Sequence, residues 1–145
     1  RDDLSGVDVA RKALILARMI GRKLELSDIR LDGLYPDGMN KLTIEEFLKA
    51  TVQLDSLYQN KFQQAKQNGK TLRFVAKVTP KICQVGVESV GKDSDLGSLS
   101  GPDNIIVFKT RRYLNNPLVI KGPGAGAEVT ASGVFGDILT IARML

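Results

Sequence analysis

Two places in the sequence combine residue types and spacings that can do chemistry. The first is Asp8 and Lys12, four residues apart. On a helix that spacing makes them neighbours on one face, with the acid on the N-terminal side, the favourable order. Taken alone, the pair reads as a solvated surface ion pair, and such pairs stabilise little. The second is Gly122-Pro123-Gly124-Ala125-Gly126-Ala127. It follows the apolar run Leu118-Val119-Ile120, which suits a buried strand. It precedes Val129, Ala131, Val134, Ile138 and Ile141, the apolar positions of an amphipathic helix. A strand thus runs through a glycine turn into a helix whose free N–H groups favour anionic or polar ligands. The glycines miss the G-x-G-x-x-G spacing and no second strand follows, so no βαβ unit surrounds them. The alternative is a tight turn before a small-residue helix packed close to a sheet.

Other chemistries are excluded by composition. The chain has no histidine, which removes the usual zinc sites and any Ser-His-Asp or Cys-His machinery. No metal site is expected. The lone Cys83 rules out an internal disulfide, suits a reducing compartment and sits in a strand pattern, so it reads as a buried, inert thiol. The net charge of +5 comes from scattered Lys and Arg with no basic run and no Trp. That argues against a nucleic-acid surface, while a mild cationic field favours an anionic substrate or a phosphate-bearing cofactor. No apolar stretch reaches transmembrane length, so no membrane partner is expected. The start, Arg1-Asp2-Asp3, lacks Met and signal-peptide character and reads as a cut into a longer chain.

The elements that must position these residues follow from periodicity. At 145 residues, 43% of them hydrophobic, the chain is one ordinary globular domain. Helices are expected over 5–20, 43–50, 54–68 and 126–144. Ser5-x-x-Asp8 resembles a capping box for the first, whose second half should be buried nearly all round, with Gly21 as its stop. Thr43-Ile44-Glu45-Glu46 is a capping box for the second. Asp55 can cap the third, with Leu57, Tyr58, Phe62 and Ala65 as its buried face and Gly69 at its end. Strands are expected over 24–34, 71–79, 82–90, 103–110 and 117–121. The second and third alternate as a β-hairpin, with Leu72, Phe74, Ala76 and Val78 and then Cys83, Val85 and Val87 inward. The fold class is α+β: a mixed, largely antiparallel sheet of about five strands with helices packed on one face.

Several stretches carry a resemblance. RDDLSGVDVARKALILAR, EEFLKA, KTLRFVAKV, the Leu96-Gly97-Ser98-Leu99-x-Gly101-x-Asp103-Asn104 loop and NPLVIKGPGAGAEVTASGVFGDIL together resemble the C-terminal part of homoserine dehydrogenases, including those fused behind an aspartokinase. The loop departs from the usual pattern, with Ser94-Asp95 where His-Pro is common. The resemblance implies an enzyme that interconverts aspartate 4-semialdehyde and homoserine with NAD or NADP, in threonine and methionine biosynthesis. Lys12 would be the proton donor. Asp8 and Asp3 would be the substrate-binding carboxylates that also orient Lys12. Gly124, Ala125 and Gly126 would approach the cofactor.

The chemistry is coherent, because reducing an aldehyde needs a proton on the carbonyl oxygen and an ammonium can polarise and protonate it. A Rossmann fingerprint is absent from these residues, and the resemblance places it N-terminal to them, so the piece alone is expected to be inactive. Region 1–121 would hold substrate and dimer contacts, and 122–145 would return to the nucleotide-binding domain. Localisation would be cytoplasmic, or plastid for a plant protein. A homodimer is expected, because Ile105, Ile106, Val107 and Phe108 give one strand two apolar faces. The other reading is a non-catalytic interaction or regulatory module that keeps the same fold.

Overall fold

The computed structural model describes residues 3–144. The chain divides into two compact units, Arg1–Lys92 and Asp93–Leu145. In the first, a 3-10 turn at Asp3–Ser5 leads into helix α1, Val7–Met19. A second 3-10 turn precedes a short strand β1, Arg30–Leu31. Helices α2, Ile44–Thr51, and α3, Asp55–Gln67, follow, joined by a 3-10 turn. Strands β2, Lys70–Val78, and β3, Cys83–Gly91, close the unit. The sheet order is β1-β3-β2, with β1 parallel and β2 antiparallel to β3.

The expected hairpin is there, in the expected register of faces. Phe74 pairs with Val87, Ala76 with Val85 and Val78 with Cys83, so alternate residues of both strands share one face. Helix α1 lies on that face through Ala10, Ala13 and Ala17, all fully buried against Cys83 and Val85. Alanine lets the helix backbone approach the sheet closely. Cys83 is buried as expected, and burial pushes its thiol pKa up while the nearby Arg22 pulls it down by less. Helix α3 runs beside β2 on the same face. There Tyr58, Leu72, Phe74 and Val87 border an apolar cavity of about 430 Å3.

Five expectations are corrected in this unit. The strand over 24–34 shrinks to Arg30–Leu31. Side chains take the hydrogen bonds a longer ladder would need: Asp28 Oδ2 accepts from the Glu25 N–H at 2.8 Å, and the Arg18 guanidinium donates to the Leu24 carbonyl at 2.9 and 3.0 Å. Ser5 does not cap α1. Gly6 does, in the left-handed region at φ 78°, and the Ser5 hydroxyl accepts from the Val7 N–H at 3.3 Å. The second half of α1 is not buried all round, since Ile15, Met19 and Ile20 are exposed once the alanines face the sheet. In α3, Leu54 stands at the cap position and Asp55 makes no cap bond, because the chain arrives already helical from the preceding turn. Tyr58 and Ala65 face inward, whereas Leu57 and Phe62 are exposed. Thr43 caps α2 in a reciprocal box with Glu46, as expected.

The second unit contains β4, Asp103–Phe108, β5, Leu118–Pro123, and α4, Ala127–Ala142. Among the described residues β4 and β5 pair only with each other, antiparallel. The α+β class with mixed, largely antiparallel pairing stands. Its five strands are divided between a three-stranded and a two-stranded sheet.

Candidate active site

The segment that begins α1 is held by contacts remote in sequence. The Leu34 N–H donates to the Leu4 carbonyl at 3.0 Å, and the Tyr58 hydroxyl donates to the Leu34 carbonyl at 2.8 Å. Burial raises the Tyr58 pKa, which keeps the phenol protonated and donating. Gly33 backs onto this entry so closely that a Cβ there would lie 2.9 Å from the Ser5 carbonyl oxygen. Gly6 turns the chain into the helix at its positive φ, and a Cβ on it would lie 2.6 Å from the Phe74 ring. Left-handed backbone and a ring in contact both demand glycine there. Neither glycine stood out in the sequence, because what each meets lies elsewhere in the chain.

With Ala10, Ala13 and Ala17 inward, the opposite stripe of α1 carries Asp8, Lys12, Ile15 and Met19 at helical spacing. Lys12 Nζ lies 2.8 Å from Asp8 Oδ2, and the two side chains are 64% and 63% exposed. The Lys12 hydrogen bond, and then its charge, hold the Asp8 carboxyl below its ordinary pKa. An ammonium has three donors, so one N–H on Asp8 leaves others for a substrate oxygen. Asp3 sits in the 3-10 turn one step before the helix, exposed, with its carbonyl accepting from the Gly6 N–H at 3.3 Å. The structure therefore brings Asp8 and Lys12 into contact and sets Asp3 at the entry to their helix.

Gly124, Ala125 and Gly126 belong to the second unit, between β5 and α4. Gly126 is the N-cap residue of α4 at φ 150° and ψ 148°, and no side chain caps the helix. The first N–H groups of α4 are therefore not satisfied by a cap side chain. Small residues, open main chain and unspent donors fit a polar or phosphate-bearing group at this turn. Among the described residues no group of three or more His, Cys, Asp or Glu could hold a metal ion.

The family model for homoserine dehydrogenase matches residues 1–139. A bifunctional aspartokinase/homoserine dehydrogenase of carrot chloroplasts is 48% identical across the whole chain, which covers 16% of that protein. The homoserine dehydrogenase of Paracoccidioides brasiliensis is 40% identical across the whole chain, which covers 40% of it. A crystal structure from Archaeoglobus fulgidus, of a protein assigned as a homoserine dehydrogenase, superposes with a TM-score of 0.68 at 29% identity, over 96% of this chain and 36% of that one. The chain belongs to the homoserine dehydrogenase family, an oxidoreductase family, as the resemblance implied. It spans less than half the length of each of these relatives.

Proposed function

We propose that this chain is the substrate-binding and catalytic part of a homoserine dehydrogenase that interconverts aspartate 4-semialdehyde and homoserine within threonine and methionine biosynthesis. The observation that carries the reading is the 2.8 Å Asp8–Lys12 pair on the exposed stripe of α1, within the family-matched segment. Lys12 donates a proton to the aldehyde oxygen in reduction and takes it back in oxidation. Asp8 holds the ammonium in place, and Asp3 with Asp8 receives the substrate's amino group. NAD or NADP supplies or accepts the hydride. Gly124, Ala125 and Gly126 present main chain to it, from the 122–145 segment that returns to a nucleotide-binding domain, while region 1–121 serves substrate and dimer contacts. Exposed Ile15 and Met19 beside the pair supply apolar surface for that further domain to exclude water.

The decisive experiment is Lys12→Ala in the full-length protein that contains this chain. Turnover should fall by about 10²-fold or more, with cofactor affinity little changed. An unchanged turnover number would leave Lys12 a surface ion-pair partner and end the reading. The 145-residue piece assayed alone should show no turnover, and activity comparable to the full-length protein would refute the need for residues outside it.

The same reading includes a homodimer through the two-stranded sheet. Ile106 pairs with Ile120 and Phe108 with Leu118, so these four share one face. Ile120 is 56% exposed, and apolar strand surface of this kind is normally covered. Light scattering of the chain at micromolar concentration should give twice 15.8 kDa, and a concentration-independent monomer would rule the dimer out. Among the described residues no helix is long and apolar enough to cross a membrane. We place the activity in the cytoplasm, or in the plastid for a plant source, since the carrot relative is chloroplastic.

A further inference from the structure

One side chain stands against the glycine turn and has no part in the chemistry above. Asn104 is the second residue of β4, paired across the ladder with Gly122 of β5. A Cβ built on Gly124 would overlap the Asn104 Nδ2, and would lie 2.6 Å from its Cγ and 3.4 Å from its Cβ. The backbone at Gly124 is not in the positive-φ region, so chain geometry does not demand glycine there. What a methyl there would meet is the outer end of the exposed Asn104 side chain, which would have to swing aside. Gly126 is the reverse case: its φ of 150° favours glycine, while nothing lies within 4 Å of where its Cβ would be. The two glycines that flank Ala125 thus differ: Gly124 lies against a neighbouring side chain, and Gly126 is favoured by its main-chain conformation.

We propose that Asn104 is a positioning residue for the cofactor turn. Its carboxamide occupies the space that Gly124 leaves open and fixes the course of the main chain from β5 into α4. It acts on the cofactor through 122–126 and does not itself contact the reacting atoms. The proposal rests on the reading of Gly124, Ala125 and Gly126 as the cofactor contact. A misplaced main chain at a binding turn weakens what it holds without altering the proton donor on α1.

The test uses the full-length protein containing this chain, with cofactor KM, kcat and fluorescence titration of the reduced nicotinamide nucleotide as readouts. Asn104→Ala should raise the cofactor KM about five-fold or more, with kcat and the homoserine KM within about two-fold of the parent. A merely structural loss would instead lower the active fraction and leave KM alone. Gly124→Ala should raise the cofactor KM further, and adding Asn104→Ala to it should bring the value back toward that of Asn104→Ala alone. Gly126→Ala should gain nothing from the same addition. If Gly124→Ala yields no folded protein, the KM of Asn104→Ala decides by itself. A parent-like cofactor KM in Asn104→Ala, or independent effects of Asn104 and Gly124, overturns the proposal while leaving the enzyme reading in place. A parent protein that neither binds nor turns over a nicotinamide nucleotide overturns the enzyme reading, and this proposal with it.

Discussion

The two units treat the same kinds of residue in opposite ways. Phe47 on α2 is 2% exposed, packed edge-on to the Tyr35 ring at 4.9 Å, whereas Phe135 on α4 is 60% exposed. In the first unit alanines, Ile29, Val85 and Cys83 form a closed core under α1. In the second, Val129, Val134, Phe135, Ile138, Leu139 and Ile141 all remain exposed on one helix. A helix apolar on most sides is normally a buried one. The first unit therefore carries its own core. The second leaves the apolar surface of its helix open.

The sharpest way to break that comparison is to make one substitution twice. Phe47→Ala should destabilise the chain by about 3–5 kcal/mol in chemical denaturation, since it empties a packed site. Phe135→Ala should move the same midpoint by less than about 0.5 kcal/mol. Equal effects would mean that α4 is as well packed as α2. Glycine-to-alanine changes should have smaller effects that differ in sign. Gly33→Ala pushes a methyl onto the Ser5 carbonyl and should cost about 1–3 kcal/mol. Gly133 lies inside α4 with nothing near its missing Cβ, so Gly133→Ala should raise helicity by circular dichroism and stabilise the helix by about 0.5–1 kcal/mol. A loss of helicity at Gly133 would show a hidden neighbour.

The smallest effect is electrostatic and belongs to the first unit. The Asp8 pKa is depressed in the folded chain, first by the hydrogen bond from Lys12 and then by its charge. A depressed acid contributes its stabilisation above the unfolded pKa and loses it as pH falls through the folded one. The pair should thus be intact across neutral pH and open only in strong acid. Carboxyl NMR titration should find Asp8 below the ordinary aspartate value, returning toward it in Lys12→Ala. An ordinary value in the parent chain would mean the pair does not persist in solution.

Features set by near neighbours in the chain could be read from the sequence. The Asp8–Lys12 contact follows from helical spacing, the Thr43–Glu46 box from four consecutive residues, and the β2–β3 hairpin from strict alternation on either side of Pro80. The family itself was legible in the stretches around Lys12 and Gly124. Tertiary packing decided the rest. Which stripe of α1 faces inward depends on how near a helix can come to the sheet, and alanines won over Ile15 and Met19. The expected strand over 24–34 gave way to side-chain bonds from Arg18 and Asp28, a competition that periodicity does not register. Gly33 leaves room for the Ser5 carbonyl, and Gly124 lies against the Asn104 side chain. Each of those pairs is separated by about twenty residues or more. Local periodicity carries no information about such meetings, because they exist only once the chain has folded back on itself.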